Sequence, residues 1–240
     1  MASFQSFSAR LVNAKQLSLP TRHLQFEIEG KERFGFIPGQ WLSFKASESS
    51  GEEITRAYSI ASPPAHDARF ELCLNRVQDG FMSNFLCDMK AGGVVQCQGP
   101  FGNFTLRPPL RDTIFIATGT GIAPFRSMLH WLFADELRHL NRNLWLVFGS
   151  RTEADIYYHS EFLALAGKHA NFHYLPTLSR ADESWEGLRG YVQEHVKEIA
   201  DKRTDMHAYI CGLDKMVKVN RDLLKELGWD RKSILYEKYD

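Results

Sequence analysis

The sequence predicts two domains of different class: an antiparallel β-barrel over residues 1–107, then a parallel α/β domain over 108–240. Three observations carry this. Up to residue 105, short runs alternate apolar and polar side chains and are separated by turn residues, the pattern of several short strands closing on themselves. Beyond Pro108-Pro109, strand-like apolar runs alternate with helical stretches, the pattern of βαβ units on a parallel sheet. A chain of 240 residues is long enough for one large domain or two small ones.

In the first half the strand-like runs are Ser8–Ala14, His23–Ile28, Trp41–Lys45 and Arg69–Arg76. Gly30, Pro38-Gly39, Ser49-Ser50-Gly51, Pro63-Pro64 and Gly92-Gly93 punctuate them. One helix, Met82–Met89, follows Gly80, with Ser83 or Asn84 as its candidate N-cap. In the second half the strands are Ile114–Ala117, Leu144–Gly149, Asn171–Leu175 and Ala208–Cys211. The helices are Phe125–Leu137, Ser160–Lys168, Gly190–Lys197 and Lys215–Leu227.

Composition excludes several classes. The 29 acidic and 29 basic side chains balance, so whole-chain charge predicts no nucleic-acid or membrane partner. No apolar run approaches the roughly 20 residues of a membrane helix, and MASFQSFSAR lacks a signal peptide's apolar core; a cytoplasmic protein is expected. Cys73, Cys87, Cys97 and Cys211 are scattered without a CxxC pair, which fits free thiols and neither zinc nor an iron–sulfur cluster.

The stretch that organises the chain is Thr113–Pro124, TIFIATGTGIAP. An apolar strand runs into Gly119-Thr120-Gly121, and Pro124 opens a helix. Glycines admit a ligand close to the backbone, and the free amides of a helix start face an anion. GTGIAP matches the GxGxxG fingerprint only in half, and alone it reads equally as an ordinary βα turn. Arg56-Ala57-Tyr58-Ser59-Ile60 supplies an arginine for phosphate, a ring for a flat cofactor and a hydroxyl for a ring nitrogen, or simply a barrel strand with a surface arginine. Gly80-Phe81-Met82-Ser83 is a second glycine-led helix start.

RAYSI, LCLNR (Leu72–Arg76), GFMSNFL, GPFGNF (Gly99–Phe104), GTGIAPF and YICGL (Tyr209–Leu213) occur in this order over nearly the whole chain. Together they resemble the ferredoxin–NADP reductase family of flavoproteins. The resemblance implies an FAD-binding barrel, an NAD(P)-binding α/β domain and a meeting of flavin and nicotinamide between them. It implies that Arg56 contacts the flavin pyrophosphate, Tyr58 packs on the isoalloxazine and Ser59 lies near flavin N5, with Ala57, Leu74 and Asn75 in the same site. Gly80, Phe81, Met82 and Ser83 would form the pyrophosphate-binding helix start, which favours FAD over FMN. Thr120, Gly121 and Pro124 would hold the nicotinamide nucleotide, and Cys211 would line its site. Glu237-Lys-Tyr239 resembles the Glu-x-Tyr ending of the plant-type branch, with Asp240 as an extra residue after the stacking tyrosine. Ser59, Cys211, Glu237 and Tyr239 are thus the expected catalytic set.

Ser179-Arg180, then Arg189, Tyr191 and Gln193, resemble the 2′-phosphate set of that branch; an arginine stands where the branch has lysine, and Ser150 and Arg151 are further expected cofactor-binding residues. Asp182, Glu183 and Glu186 in the same loop oppose a phosphate, yet the balance favours NADP(H) over NAD(H). The implied reaction is hydride exchange between nicotinamide and flavin, coupled to single-electron exchange with a separate ferredoxin or flavodoxin. Lys31, Arg33, Arg76 and Lys90 are candidate cations for such an acidic partner. Alternatives are an NADH-dependent reductase feeding an oxygenase or cytochrome, a free-flavin reductase, and a non-catalytic nucleotide-sensing subunit.

Overall fold

The computed structural model describes residues 5–139 and 142–239. By contacts the chain forms two compact units. One is the chain up to Leu106 with Ala123–Trp131; the other is Arg107–Ile122 with the chain from Leu132 onwards.

The first unit is a six-stranded antiparallel sheet: β1 (Gln5–Ser18), β2 (Thr21–Ile28), β3 (Trp41–Ser47), β4 (Glu53–Ser59), β5 (Arg69–Asn75) and β6 (Val94–Phe101), in the order β4-β3-β6-β1-β2-β5. Its two edges meet, because Ile60 bridges Leu72 and the Ala61 amide donates to the Glu71 carbonyl at 2.7 Å. The sheet therefore closes into the expected barrel, which removes its edges. Alternation sets the interior: Leu24, Phe26 and Ile28 of β2 and Leu42 and Phe44 of β3 point inward, and Phe26 stacks on Phe70 at 5.4 Å. β6 carries the same alternation but was not anticipated from the sequence. Helix α1 runs Phe81–Asp88, one residue earlier than predicted at each end, and seals the barrel with Met82 and Leu86.

The second unit is a six-stranded parallel sheet in the order β10-β9-β8-β7-β11-β12. Its strands are β7 (Thr113–Thr118), β8 (Leu144–Ser150), β9 (Phe172–Leu178), β10 (Leu188–Arg189), β11 (His207–Leu213) and β12 (Ile234–Tyr239). Helices α5 (Val192–Ala200) and α6 (Asp214–Glu226) cover one face, where Val196, Val217 and Leu224 meet Ile114, Ile116 and Ile210. On the other face Phe162 of α4 (His159–Lys168) contacts Tyr174 at 5.4 Å, and Phe115 stacks on Tyr209 at 5.6 Å.

Two expectations change. The helix after the glycine turn is α2 (Ile122–Phe133), and α3 (Glu136–His139) is separate from it. Gly119–Gly121 already forms a 3-10 turn continuous with α2, so Pro124 sits in its first turn rather than opening it. The C-terminal segment, given no element from the sequence, is β12, a parallel strand on β11. Asp240 lies outside the described residues.

Candidate functional site

The carboxyl edge of the parallel sheet gathers the catalytic candidates of the second unit. Glu237 lies opposite Cys211 in the β11–β12 register, and Tyr239 opposite Leu213. Ile234 and Ile210 belong to the α5/α6 face, so alternation puts Glu237, Tyr239 and Cys211 together on the other face. Cys211 is fully buried, and its thiol is pushed well above the ordinary value. Burial is the main cause; the Glu237 carboxylate adds to it, and the Tyr239 hydroxyl partly offsets it. This thiol stays protonated at neutral pH and is no nucleophile.

The glycine turn lies directly on this cluster. A Cβ added to Gly121 would collide with the Cys211 carbonyl oxygen and lie 2.8 Å from the Gly212 amide nitrogen. Only hydrogen at that position lets the turn and the β11 end approach so closely. Gly119 differs: its φ is +55°, and a Cβ there would meet nothing within 4 Å. The turn is thus tight on its inner side and open at Gly119, a cradle for a ligand. Thr118, which sequence reasoning missed, ends β7 here. Its buried hydroxyl has no partner among the described residues and faces Gly212. The strand-end position was its only sequence signal.

The second anion-binding candidate lies along the same carboxyl edge, just past the ends of β8 and β9. The amides of Ser179 and Arg180 donate to the carbonyls of Ser150 and Arg151 at 3.0 and 2.9 Å. These bonds lie just past the last β8–β9 pair and join the backbones of two exposed arginines, Arg151 and Arg180. Arg189 also makes contacts within its own loop. Its guanidinium donates to the carbonyls of Asp182 at 2.8 Å and Trp185 at 2.7 Å, stapling the loop after Arg180. Asp182 is also occupied, accepting from the Ser184 amide and hydroxyl at 3.1 and 2.7 Å. Tyr191 is exposed and precedes α5, its amide donating to Glu194; Gln193 lies in the first turn of α5, half-buried.

In the first unit, β4 presents Arg56 and Tyr58 on one face and Ala57 on the other, with Ser59 buried at the strand end. Tyr58 packs edge-on against Phe44 at 5.6 Å. Its phenol is pushed up to about 12 by burial first and the nearby Cys87 second, against Arg56. Helix α1 packs against β4, the strand that carries Tyr58. Leu74 is core, and Asn75 accepts from Thr21 at 2.5 Å.

The start of α1 corrects a local reading. Gly80, in extended conformation, is the N-cap. Ser83 and Asn84 instead brace the preceding turn: Ser83 Oγ accepts from the Val77 amide at 3.1 Å, and Asn84 Nδ2 donates to the Val77 carbonyl at 2.9 Å. The Met82 side chain is buried in the barrel core. What the segment offers a ligand is the first-turn amides of Phe81, Met82 and Ser83. Arg76 is not a free surface cation, because it pairs with Asp88 at 2.5 Å and Asn84 at 2.8 Å. Among the described residues no group of three or more histidine, cysteine or acidic side chains is placed to hold a metal.

Known proteins resemble this chain in sequence and in fold. Residues 8–106 match the family profile described as an oxidoreductase FAD-binding domain, and residues 115–222 the oxidoreductase NAD-binding domain. The chain is 42% identical to ferredoxin–NADP reductase B of Sorangium cellulosum over all of both chains. It is 28% identical to the electron transfer component of toluate 1,2-dioxygenase from Pseudomonas putida, over 97% of this chain and 67% of that protein. The fold matches the ferredoxin NADP+ reductase of Neisseria gonorrhoeae, crystallised with FAD and NADP, with a TM-score of 0.83 at 23% identity over 99% of each chain. It matches the cytochrome P450 reductase GcoB of Amycolatopsis with a TM-score of 0.86 at 25% identity, over 98% of this chain and 70% of that one. With both cofactor-domain profiles matched in order and a relative matched from end to end, the chain belongs to the ferredoxin–NADP reductase family.

Proposed function

We propose that this protein is an FAD-dependent ferredoxin–NADP reductase, exchanging hydride with NADP(H) and single electrons with a separate ferredoxin or flavodoxin. The observation that carries the reading is the Cys211–Glu237–Tyr239 cluster, directly against the glycine turn at the carboxyl edge of the parallel sheet. Open α/β sheets bind nucleotides at that edge. FAD, when bound, accepts and returns the hydride and splits the pair into single electrons.

The donor sets fit both groups. The first-turn amides of α1 suit a pyrophosphate, with Arg56 as its cation and Tyr58 as a ring neighbour. The open side of Gly119, with Thr120, Gly121 and Pro124, suits the nicotinamide nucleotide. Ser59 and Glu237 are the groups able to hold or move a proton. The barrel over 1–107 is then the FAD-binding domain and 108–240 the NAD(P)-binding domain.

NADP(H) is favoured because Arg151 and Arg180 stand together while Asp182 is tied to Ser184. Arg189 acts here by holding the loop. The second reading, an NADH-dependent component feeding an oxygenase, is favoured by relatives such as the reductase component of phenol 2-monooxygenase from a Pseudomonas species, 34% identical; this chain spans 51% of its length. No helix among the described residues is long and apolar enough to cross a membrane, and all four cysteines are free. We place the protein in the cytoplasm on that support. The deciding experiment compares NADPH with NADH in anaerobic stopped-flow reduction of the bound flavin. A strong NADPH preference is expected; an NADH preference would select the second reading.

A further inference from the structure

We propose that Arg126 and Glu71 are positioning residues for Ser59, a largely buried ion pair that fixes the strand end carrying this hydroxyl. The proposal rests on the reading of Ser59 as the group beside the flavin. Ser59 closes β4, and the next three residues are all buried. Their polar groups meet the backbone of Glu71 and the guanidinium of Arg126, which the Glu71 carboxylate in turn holds. The Ala61 amide donates to the Glu71 carbonyl at 2.7 Å, and the Glu71 amide donates to Ser62 Oγ at 3.1 Å. Arg126 Nη1 donates to the Ala61 carbonyl at 3.0 Å and to Glu71 Oε2 at 2.6 Å. Both backbone polar groups of Ala61 and the Ser62 hydroxyl are therefore held by Glu71 and Arg126.

The second carboxylate oxygen is also addressed. Gln25 Nε2 donates to Glu71 Oε1 at 3.3 Å, and His23 Nε2 lies 3.7 Å from it. The arginine arrives from α2, five residues beyond Gly121 in sequence. The Arg126 and Glu71 side chains are only 12% and 19% exposed. A buried ion pair is a poor source of stability compared with apolar packing, and its better use is to fix one geometry.

The charged and titratable groups facing Glu71 are His23 from β2 and Arg126 from α2. Burial would push its carboxyl up; His23 and Arg126 outweigh burial and hold it at about 2. At 3.7 Å the histidine contact is long, so Arg126 at 2.6 Å is the main counterweight. Without Arg126, part of what holds the carboxyl down is lost and its pKa rises.

The test uses the purified holoprotein and the variants Arg126→Met, Arg126→Lys and Glu71→Gln. Three quantities are read: bound FAD per protein, the visible flavin spectrum against pH, and the NADPH dependence of anaerobic flavin reduction. Arg126→Met is expected to keep FAD and to lower the maximal reduction rate about tenfold, with little change in half-saturating NADPH. Its flavin spectrum acquires a pH step that wild type lacks. Arg126→Lys recovers most of the rate, and Glu71→Gln is slowed with no pH step. An Arg126→Met protein with a wild-type rate and a pH-independent spectrum overturns the proposal. If that variant does not fold, a wild-type rate in Glu71→Gln overturns it equally. A wild-type protein that takes up no FAD sinks the reading of Ser59 instead, which keeps the two failures distinct.

Discussion

Gly121→Ala separates steric fit from backbone freedom at the nucleotide turn. No positive φ marks Gly121, so alanine meets no conformational penalty there. Its methyl would meet the Cys211 carbonyl oxygen and lie 2.6 Å from the Cys211 carbonyl carbon and 2.8 Å from the Gly212 nitrogen. All three are backbone atoms of a central parallel strand, flanked by β7 and β12. They cannot rotate away as a side chain would, so the turn or the strand end must move. Overpacking of this kind costs about 1–3 kcal/mol, or a fall in melting temperature of about 2–10 °C. The movement displaces the turn from Cys211, so KM for NADPH should rise several-fold while bound FAD stays at the wild-type ratio. Gly119→Ala is the control: it meets open space, and only its φ of +55° opposes it, about 1 kcal/mol. Thermal melts and steady-state kinetics on both variants decide the matter. A Gly121→Ala protein with wild-type melting and KM, or one harmed less than Gly119→Ala, would refute the close approach of turn and strand.

Arg180→Ala should raise KM for NADPH far more than for NADH, and an equal effect on both would remove Arg180 from the phosphate site. Ser59→Ala and Glu237→Ala should each slow hydride transfer to the flavin; wild-type rates in both would exclude them as proton-handling groups. Glu71 is ionised in the fold down to about pH 2, against an ordinary 4.5, so its contribution of up to about 3 kcal/mol is complete above 4.5 and lost as pH falls through 2. The gap in urea midpoint between wild type and Glu71→Gln should therefore shrink over that window, and a constant gap would contradict the assignment. The four cysteines are buried, so maleimide should label the native protein far below four thiols and reach four in denaturant.

The barrel and the alternating α/β half were legible because each rests on local periodicity. Period-2 alternation in His23–Ile28 and apolar runs such as Ile114–Ala117 are dictated by which face is buried. β12 was not legible as a strand: Ile234–Tyr239 has only two fully buried residues, and its place is set by hydrogen bonding to β11. The cofactor motifs were visible as residue types, but their use was not. Arg189 looks like a phosphate ligand in sequence, yet it spends two donors on loop carbonyls that only the folded turn brings to it. Ser83 looks like a cap, yet Gly80 takes that place because the serine hydroxyl reaches back to Val77. The Arg126–Glu71 pair spans 55 residues and follows no pattern a linear reading can find.

The central claim is tested most directly by purifying the protein, identifying its flavin and titrating it anaerobically with NADPH. The account predicts one FAD per chain and loss of the oxidised flavin band on adding NADPH. A colourless protein that takes up no FAD, or a flavin band that NADPH leaves unchanged, would contradict it.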